Sequence, residues 1–270
     1  MRVHIFDVEQ GECNIIESPT GHTIMVGSGH NASTGWRPSQ WLKDNNISLT
    51  SVVLTNLDED HVSDLPNLTP PYLLTRNFNI DPDWVRQTKQ QNGGIGNGVS
   101  TAIHWMKNVF TGPMITFNYG IEVLHFYHSP AQFQDTNNLS VLTFISYNGI
   151  GIFFPSDIEK VGFEAFLNNP VFINCLGRTN ILIAPHHGRK KEYSESVLNL
   201  CNKLHAVVIS DKPVEHTTQD HDLYSKHASG LLFGKTLRKV LTTRSDGKIT
   251  VDIPEGQASG SYAVFINQTY

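Results

Sequence analysis

Acidic and imidazole side chains follow a short apolar segment near the start of this chain. Residues 51–55 read Ser-Val-Val-Leu-Thr, and the chain continues as Asn-Leu-Asp-Glu-Asp-His, which places Asp58, Asp60 and His61 within four residues. Carboxylate oxygens and imidazole nitrogens at this spacing form a compact ligand set for a divalent cation. A solvated acidic turn would have the same composition, so this run alone leaves both interpretations open.

Two further apolar segments end in residues of the same kinds. Residues 153–157 read Phe-Phe-Pro-Ser-Asp and end at Asp157, and residues 181–188 read Ile-Leu-Ile-Ala-Pro-His-His-Gly and contain His186 and His187. All three segments have the composition of buried strands. Because α/β folds place their sites at the carboxyl ends of strands, we expect these side chains to converge on one metal site.

The elements that must position these residues are short strands and helices in two successive groups. The turn residues and apolar spacing predict strands over residues 3–6, 13–17, 22–26, 51–55, 115–118, 122–127, 140–147, 149–155, 181–184 and 206–210, and a final hairpin over 239–243 and 248–253. Helices are predicted over residues 38–45, 83–91, 159–167, 194–204 and 222–230. Two groups of strands and helices in one chain predict a layered α/β sandwich.

Residues 66–112 differ from the rest of the chain. Prolines 66, 70 and 71 open this segment, and residues 93–98 read Gly-Gly-Ile-Gly-Asn-Gly. A phosphate-binding loop would follow a strand and continue into Lys-Ser or Lys-Thr, and neither feature is present in the sequence. We therefore predict one domain over residues 1–270 with a flexible hinge or lid inserted at about 66–112.

Composition narrows the class of protein. The 20 Lys and Arg residues against 25 Asp and Glu give a formal net charge of -5, which argues against nonspecific coating of nucleic acid but not against a local basic patch. The three cysteines form no CxxC pair, so neither a disulfide framework nor a zinc ribbon is indicated. No apolar run approaches the ~18 residues of a membrane span. We expect a cytoplasmic protein that does not contact a membrane.

Seven motifs in one order give the chain a specific resemblance. They are Asp7-Val-Glu-Gln-Gly-Glu12, Thr23-Ile-Met-Val-Gly-Ser-Gly29, the acidic run ending at His61, Asn137-Asn-Leu-Ser140, Ser156-Asp157, Pro185-His-His-Gly188 and Thr243-Arg-Ser-Asp-Gly247. Together they resemble the metallo-β-lactamase fold, in the branch of the ComEC-type DNA-uptake hydrolase domain. The resemblance runs from residue 1 to about 253 and excludes residues 66–112. It implies a four-layer αββα sandwich with a metal site at the edge of its two sheets.

The resemblance also implies an activity and a ligand set. Family members hydrolyse their substrates with a metal-activated hydroxide, and this branch is expected to act on phosphodiesters or nucleic acid. Carried over by motif, one metal position comprises Asp60, His61, Asp157 as the bridging carboxylate, and His187, with His186 as the alternative to His187. Asp60 and Asp157 are also the expected catalytic carboxylates.

The other metal position of the family is altered in this sequence. Asn56 stands where the family has its first histidine, and Asp58 stands where many members have the second. His125 or His128 could complete this position. We expect one tightly held divalent ion, Zn²⁺ or Mn²⁺, and at most a weaker second one. A catalytically weak or inactive module that binds a partner or nucleic acid is the main alternative, and hydrolysis of a carboxylic ester, thioester or lactam is a third.

Further residues are candidates for contacting substrate. Arg189, Lys190 and Lys191 directly follow the paired histidines and would suit an anionic, phosphate-bearing substrate, although such a run is usually a solvated loop. The resemblance places the Asn-rich turn, with Asn137, Asn138 and Ser140, at the floor of the site. It also places a histidine near the substrate, for which His221 fits better than His216. The sequence leaves open whether a protein partner binds.

Overall fold

The computed structural model describes residues 1–112, 117–210, 221–256 and 260–266. Its strands are β1 (Arg2–Ile5), β2 (Asn14–Glu17), β3 (Thr23–Val26), β4 (Ser51–Val53), β5 (Leu73–Thr75), β6 (Glu122–Phe126), β7 (Leu142–Tyr147), β8 (Ile150–Phe154), β9 (Thr179–Ile183), β10 (Ala206–Ile209), β11 (Leu231–Phe233), β12 (Thr236–Arg238), β13 (Val240–Thr242), β14 (Ile249–Asp252) and β15 (Ala263–Ile266). Its α-helices are α1 (Pro38–Asp44), α2 (Glu59–Val62), α3 (Pro82–Gln91), α4 (Asn97–His104), α5 (Lys160–Ala165), α6 (Pro170–Gly177), α7 (Glu195–Leu198), α8 (His221–Ser225) and α9 (Thr243–Asp246).

Most of the described strands form two mixed sheets. One has the order β15-β14-β1-β2-β3-β4-β5 and the other has the order β13-β10-β9-β8-β7-β6, while β11 and β12 pair separately. The strands β3, β4 and β5 are mutually parallel, with Val26 opposite Val53. The strands β8, β9, β10 and β13 are also parallel, with Phe153 opposite Leu182. The carboxyl ends of neighbouring parallel strands therefore lie side by side.

Alternating side chains of the strands fill three apolar layers. Between the sheets, Val53 of β4 and Ile181 of β9 belong to one buried cluster. Their neighbours in sequence, Val52 and Leu182, point to the opposite faces, where they pack with helices. The helices α1, α3 and α4 cover the sheet that contains β4, and α5 to α8 cover the sheet that contains β9. The order helix, sheet, sheet, helix confirms the four-layer αββα sandwich that the sequence predicts.

The segment of residues 66–112 is an integral part of the sandwich, which corrects the prediction of a flexible insertion. It supplies β5, which pairs with β4, and the two helices α3 and α4. Val85 and Ile103 of these helices are fully buried in the outer core. Short helices separated by Gly and Pro give the same local composition as a loop, so the tertiary packing of this segment is not visible in its sequence.

The predicted hairpin near the end of the chain is also corrected. The strand β13 pairs with β10 in one sheet, whereas β14 pairs with β1 in the other. Between them Thr242 caps α9 by accepting a hydrogen bond from the Ser245 amide at 3.3 Å, and Arg238 holds the carboxylate of Asp246. A helical turn thus carries the chain from one sheet to the other.

Two smaller points complete the comparison with the predicted elements. The helices predicted over residues 194–204 and 222–230 are shorter in the structure, where α7 ends at Leu198 and α8 ends at Ser225. Residues 115 and 116 of the strand predicted over 115–118 lie outside the described residues, and residues 117 and 118 are not part of a strand. No helix in the described part of the chain has the length and apolar character needed to cross a membrane.

Candidate metal centre

The turns that follow β4, β8 and β9 bring a carboxylate and two imidazoles together. Asp157 comes three residues after β8, His61 lies on α2, and His187 lies in the tight turn Pro185–Gly188 after β9. The Oδ2 atom of Asp157 is 3.1 Å from Nε2 of His61, and its Oδ1 atom is 3.4 Å from Nε2 of His187. One buried carboxylate therefore bridges two buried rings, as expected from their positions at strand ends.

Asp60 completes the group from its solvent side. One carboxylate oxygen of Asp60 and one ring nitrogen each of His61 and His187 lie within 4.8 Å of one another. Asp60 is exposed, whereas His61 and His187 are buried. The structure thus brings together Asp60, His61, Asp157 and His187, and the group opens to solvent beside Asp60.

The charges of this group are strongly coupled. Burial alone would lower the pKa of His61, but Asp157 and Glu12 raise that pKa well above its ordinary value. Burial alone would raise the pKa of Asp157, but His61 and His187 hold it well below its ordinary value. The group is therefore an ion pair between an ionised carboxylate and imidazole, and a cation that binds there would displace the ring proton of His61, because metal ligands must be deprotonated.

The backbone around these ligands is strained. Ser156, His186 and His187 have φ angles of 54°, 45° and 60°, in the left-handed region that non-glycine residues rarely adopt. The amide of His186 donates to the carbonyl of Ser156 at 2.9 Å, which ties the two turns together. Each such residue costs on the order of 1 kcal/mol or more, and such residues cluster at functional sites. Three of the six described non-glycine residues with positive φ therefore lie in the two turns that present Asp157 and His187.

The donor atoms fit a divalent cation. Nε2 of His61 is buried and makes no hydrogen bond among the described residues, although it faces Asp157. A buried polar nitrogen that makes no hydrogen bond is unfavourable in a folded protein, and a cation between the ring and the carboxylate would satisfy it. Two imidazoles and two carboxylates are donors that suit Zn²⁺ or Mn²⁺.

Glu12 is part of the centre, and the sequence analysis assigned it no role. Its buried Oε2 atom lies 3.6 Å from Nδ1 of His61, which also lies 3.4 Å from the hydroxyl of Thr55. A carboxylate behind the second ring nitrogen of a metal-binding histidine fixes the ring orientation and raises its basicity. The motif of residues 7–12 is the signal that could have identified it.

Two glycines allow this close packing around Asp60. A Cβ atom at Gly11 or at Gly29 would lie 2.3 Å from the carbonyl oxygen of Asp60. Both loops, the one that carries Glu12 and the one after β3, therefore rest directly on the backbone of α2. The amide of Ser28 also donates to the carbonyl of His61 at 2.8 Å. The position of His61 is thus set by main-chain contacts from two sides.

Asn56 and Asp58, the ligands expected for the other metal position, have protein partners instead. The side-chain amide of Asn56 donates to Oδ1 of Asn137 at 3.1 Å. Asp58 forms an ion pair with Lys89 of α3 and accepts a hydrogen bond from the hydroxyl of Thr136 at 3.3 Å. The structure groups neither with the ligand atoms around Asp157, because partners from other elements of the fold hold their side chains.

The remaining candidate histidines are engaged elsewhere. His125 of β6 lies 3.1 Å from the hydroxyl of Thr143, and burial lowers its pKa to about 4. A ring nitrogen of His128 donates to the carbonyl of Gly162 at 2.8 Å, and its ring stacks on that of Phe166. Neither joins the four grouped ligands. His221 is an exposed residue at the start of α8, and His216 lies outside the described residues.

His186, the alternative to His187, belongs to a different cluster. One ligand atom each of Glu159, His186 and Glu192 lie within 4.8 Å of one another. Arg189 donates to Nε2 of His186 at 2.6 Å, so the ring proton must sit on Nδ1, which faces Glu192 at 3.9 Å. Lys191 pairs with Glu192 at 3.0 Å. These contacts make the cluster a network of protein ion pairs that holds the histidine turn.

The residues predicted to contact substrate lie in two environments. Arg189 and Lys191 make the contacts just described, and Lys190 is exposed next to them. Asn138 and Ser140, predicted at the floor of the site, are buried. Asn138 joins Asp135 to the amide of Gly162 at the start of α5, where a Cβ atom on Gly162 would lie 2.3 Å from Oδ1 of Asn138.

Comparisons with solved structures find chains that are similar to this one. No family model and no curated protein matches the chain. A solved structure described as the crystal structure of the hydrolase AbOPH in the beta lactamase superfamily is similar at 20% sequence identity, with a TM-score of 0.31. The match covers 54% of this chain and 55% of that chain, so the likeness spans about half of each.

Proposed function

We propose that this chain is a metal-dependent hydrolase whose divalent ion, Zn²⁺ or Mn²⁺, is held by Asp60, His61, Asp157 and His187. The observation that carries the proposal is the carboxylate of Asp157 between two buried imidazoles, one of which has a ring nitrogen without a hydrogen bond among the described residues. The strained turns that present these side chains support a functional origin, because a purely structural cluster has no need of them.

The residues of the chain divide the work at this centre. A divalent ion held there would supply a Lewis acid and a water of lowered pKa, the two requirements for hydrolysis near neutral pH. Asp157 orients both rings, and the carboxylate of Glu12 places a negative charge 3.6 Å from Nδ1, the far nitrogen of His61. Asp60 is the ligand at the solvent side of the group, so its carboxylate would hold the ion where substrate can approach.

We further propose an anionic, phosphate-bearing substrate, either a phosphodiester or a nucleic acid. The resemblance to the ComEC-type hydrolase domain favours this class. The basic residues 189–191 begin two positions after His187, and the exposed Lys190 and Lys191 are the residues that we propose to meet the anionic group. Positive charge there attracts phosphate groups by long-range electrostatics, even in a chain with a net charge of -5.

A second candidate function is a catalytically weak module that binds a partner or nucleic acid. It is favoured by the partners of Asn56 and Asp58, which remove two ligands from the other metal position of the family. A module of this type would retain the fold and could retain one ion without turnover. Measurement of metal content together with turnover separates the two candidates.

The test begins with protein purified without chelators, whose Zn and Mn content is measured by mass spectrometry. Hydrolysis of bis(p-nitrophenyl) phosphate is then followed with added Mn²⁺ or Zn²⁺. We expect about one ion per chain and metal-dependent hydrolysis that is lost in His61→Ala. His104→Ala, at an exposed position on α4, is the matched control and should keep both. Metal binding without hydrolysis of any phosphodiester would favour the binding module, and absence of metal would refute the centre.

A further inference from the structure

Lys89 lies next to Asp58, at the position where the resemblance implies a second metal ion. Its ammonium contacts Oδ1 of Asp58, the residue expected to be a ligand of that ion. The Lys89 side chain is only 15% exposed. A lysine ammonium is a compact positive charge with three donors, and here it neutralises the carboxylate that would otherwise face a cation.

Asn56 is the other residue that alters this second metal position. It is buried and neutral, and its amide is already committed to Asn137. Its Oδ1 atom has no hydrogen-bond partner in the described part of the chain. A neutral amide oxygen and a carboxylate already paired with lysine form a poor site for a second divalent ion, so positive charge there comes from the protein itself.

The fold holds Lys89 in this place. Val85, one turn earlier on α3, is fully buried in the outer core. The carbonyl of Lys89 accepts hydrogen bonds from the amides of Asn92 at 3.2 Å and Gly94 at 3.0 Å. The helix end that carries Lys89 is therefore fixed on both sides, and its ammonium is not the end of a freely moving surface chain.

The neighbour of Asp58 in the motif holds the same segment. Glu59 accepts hydrogen bonds from the amides of Gly98 at 2.8 Å and Val99 at 3.0 Å, in the first turn of α4. Two consecutive carboxylates of the motif thus bind the two consecutive helices α3 and α4. The motif loop and the segment of residues 82–104 form one unit, which presents Lys89 to Asp58.

We propose that Lys89 is a built-in cation that takes the place of the second metal ion. The centre then binds one divalent ion, and the ammonium supplies the second positive charge for an anionic substrate. This inference rests on the proposed metal centre at Asp157 and deepens it. Its physical basis is that a fixed positive charge beside a phosphoryl group stabilises the charge that develops during hydrolysis.

The test is a titration of metal-free protein with MnCl₂, with heat and bound manganese measured in parallel. We expect one ion per chain in the wild type and in Lys89→Arg, which keeps the charge. Lys89→Met frees Asp58, so a second ion should bind, at least about tenfold more weakly than the first. Asn56→His added to Lys89→Met should tighten the second ion, because imidazole is a better ligand than an amide.

The matched control is Lys107→Met, which removes an exposed lysine, three residues after α4, that pairs with Asp83 of α3. It should bind one ion. Two ions in the wild type, or a single ion in Lys89→Met of unchanged melting temperature, would overturn the role of Lys89 and leave the metal centre standing. No ion in the wild type would instead overturn the proposed function, and this inference with it. Lys89→Gln serves as the second neutral variant if the methionine protein does not fold.

A kinetic measurement adds an independent readout. With bis(p-nitrophenyl) phosphate, Lys89→Met should lose on the order of 10²-fold in kcat, the size typical of losing one charged donor. Excess Mn²⁺ should restore part of this loss, since the second ion replaces the missing charge. An unchanged kcat in Lys89→Met, with Lys107→Met also unchanged, would show that the ammonium does not act on the reaction and would overturn its electrostatic role.

Discussion

The two halves of one six-residue motif have different surroundings. Asp60 and His61 meet Asp157 and His187 from the other sheet. Asn56 and Asp58, a few residues earlier, instead meet Asn137 and the lysine of α3. Residues of one short motif thus have different partners, because the elements packed against them differ. The spacing of candidate ligands defines where a site can form, and the partners decide which of the ligands are available.

The largest expected effect comes from removing Asp157, the carboxylate that contacts both His61 and His187. Asp157→Ala leaves two buried imidazoles without their carboxylate, so Mn²⁺ and Zn²⁺ should bind more than about 100-fold more weakly. Calorimetric titration of the metal-free protein measures this change. Asp252→Ala, which breaks an exposed pair with Arg2, is the control and should bind metal normally. Unchanged affinity in Asp157→Ala would remove Asp157 from the centre.

The next effect tests Glu12, whose carboxylate lies behind the ring of His61. Glu12→Gln removes the charge that faces Nδ1 of His61, and metal affinity should fall by roughly 10- to 100-fold while the ligands stay in place. Glu17→Gln is a suitable control, because Glu17 of β2 also contacts an imidazole, that of His4 on β1, outside the metal centre. Equal losses in the two variants would mean that the effect is general destabilisation and not an action on His61.

A smaller effect, on the free energy of unfolding, is expected from Glu59, which binds the first turn of α4. Glu59→Ala leaves two amides at the start of α4 without an acceptor, which should lower the free energy of unfolding by about 1–2 kcal/mol. Urea denaturation of the metal-free protein measures it. The affinity for the first ion should stay unchanged, because Glu59 does not face that centre. A parallel loss of metal affinity would show that the contact between Glu59 and α4 also affects the ion bound at Asp157.

The smallest effect concerns the basic residues 189–191, which follow the histidine turn in sequence. The double variant Lys190→Gln, Lys191→Gln should raise KM for an anionic phosphodiester by about threefold and flatten its salt dependence, with kcat nearly constant. Arg189 is kept, because its contact with His186 holds the histidine turn. If KM shows the same salt dependence in the wild type and the double variant, these lysines form only a solvated loop.

The fold class and the four grouped ligands follow from short-range patterns in the sequence. Apolar runs ending in Asp157 and in the paired histidines predict buried strands, and parallel neighbours align their ends. The resemblance then distinguished His187 from His186. The strand prediction depends on residues close together in the chain and the resemblance on the order of short motifs, and the structure has the predicted fold class.

Other features depend on contacts between distant parts of the chain and could not be predicted. Lys89 comes 31 residues after Asp58, in a segment whose Gly and Pro content is equally typical of a loop. The tail around Asp246 and Gly247 has the local pattern of a hairpin turn, yet β13 and β14 join different sheets. Local turn chemistry cannot specify the sheet in which the next strand finds its partner.

The pairing of β1 with β14 has a consequence for how the protein is made. Val3 lies opposite Val251, so one edge of β1 lacks its partner until residues 249–252 have left the ribosome. At ~5–20 residues per second, that edge waits for roughly 10–50 seconds. An unpaired strand edge is a template for pairing with other chains. The nascent chain therefore passes through a long interval in which association with a second copy competes with completion of its own first sheet.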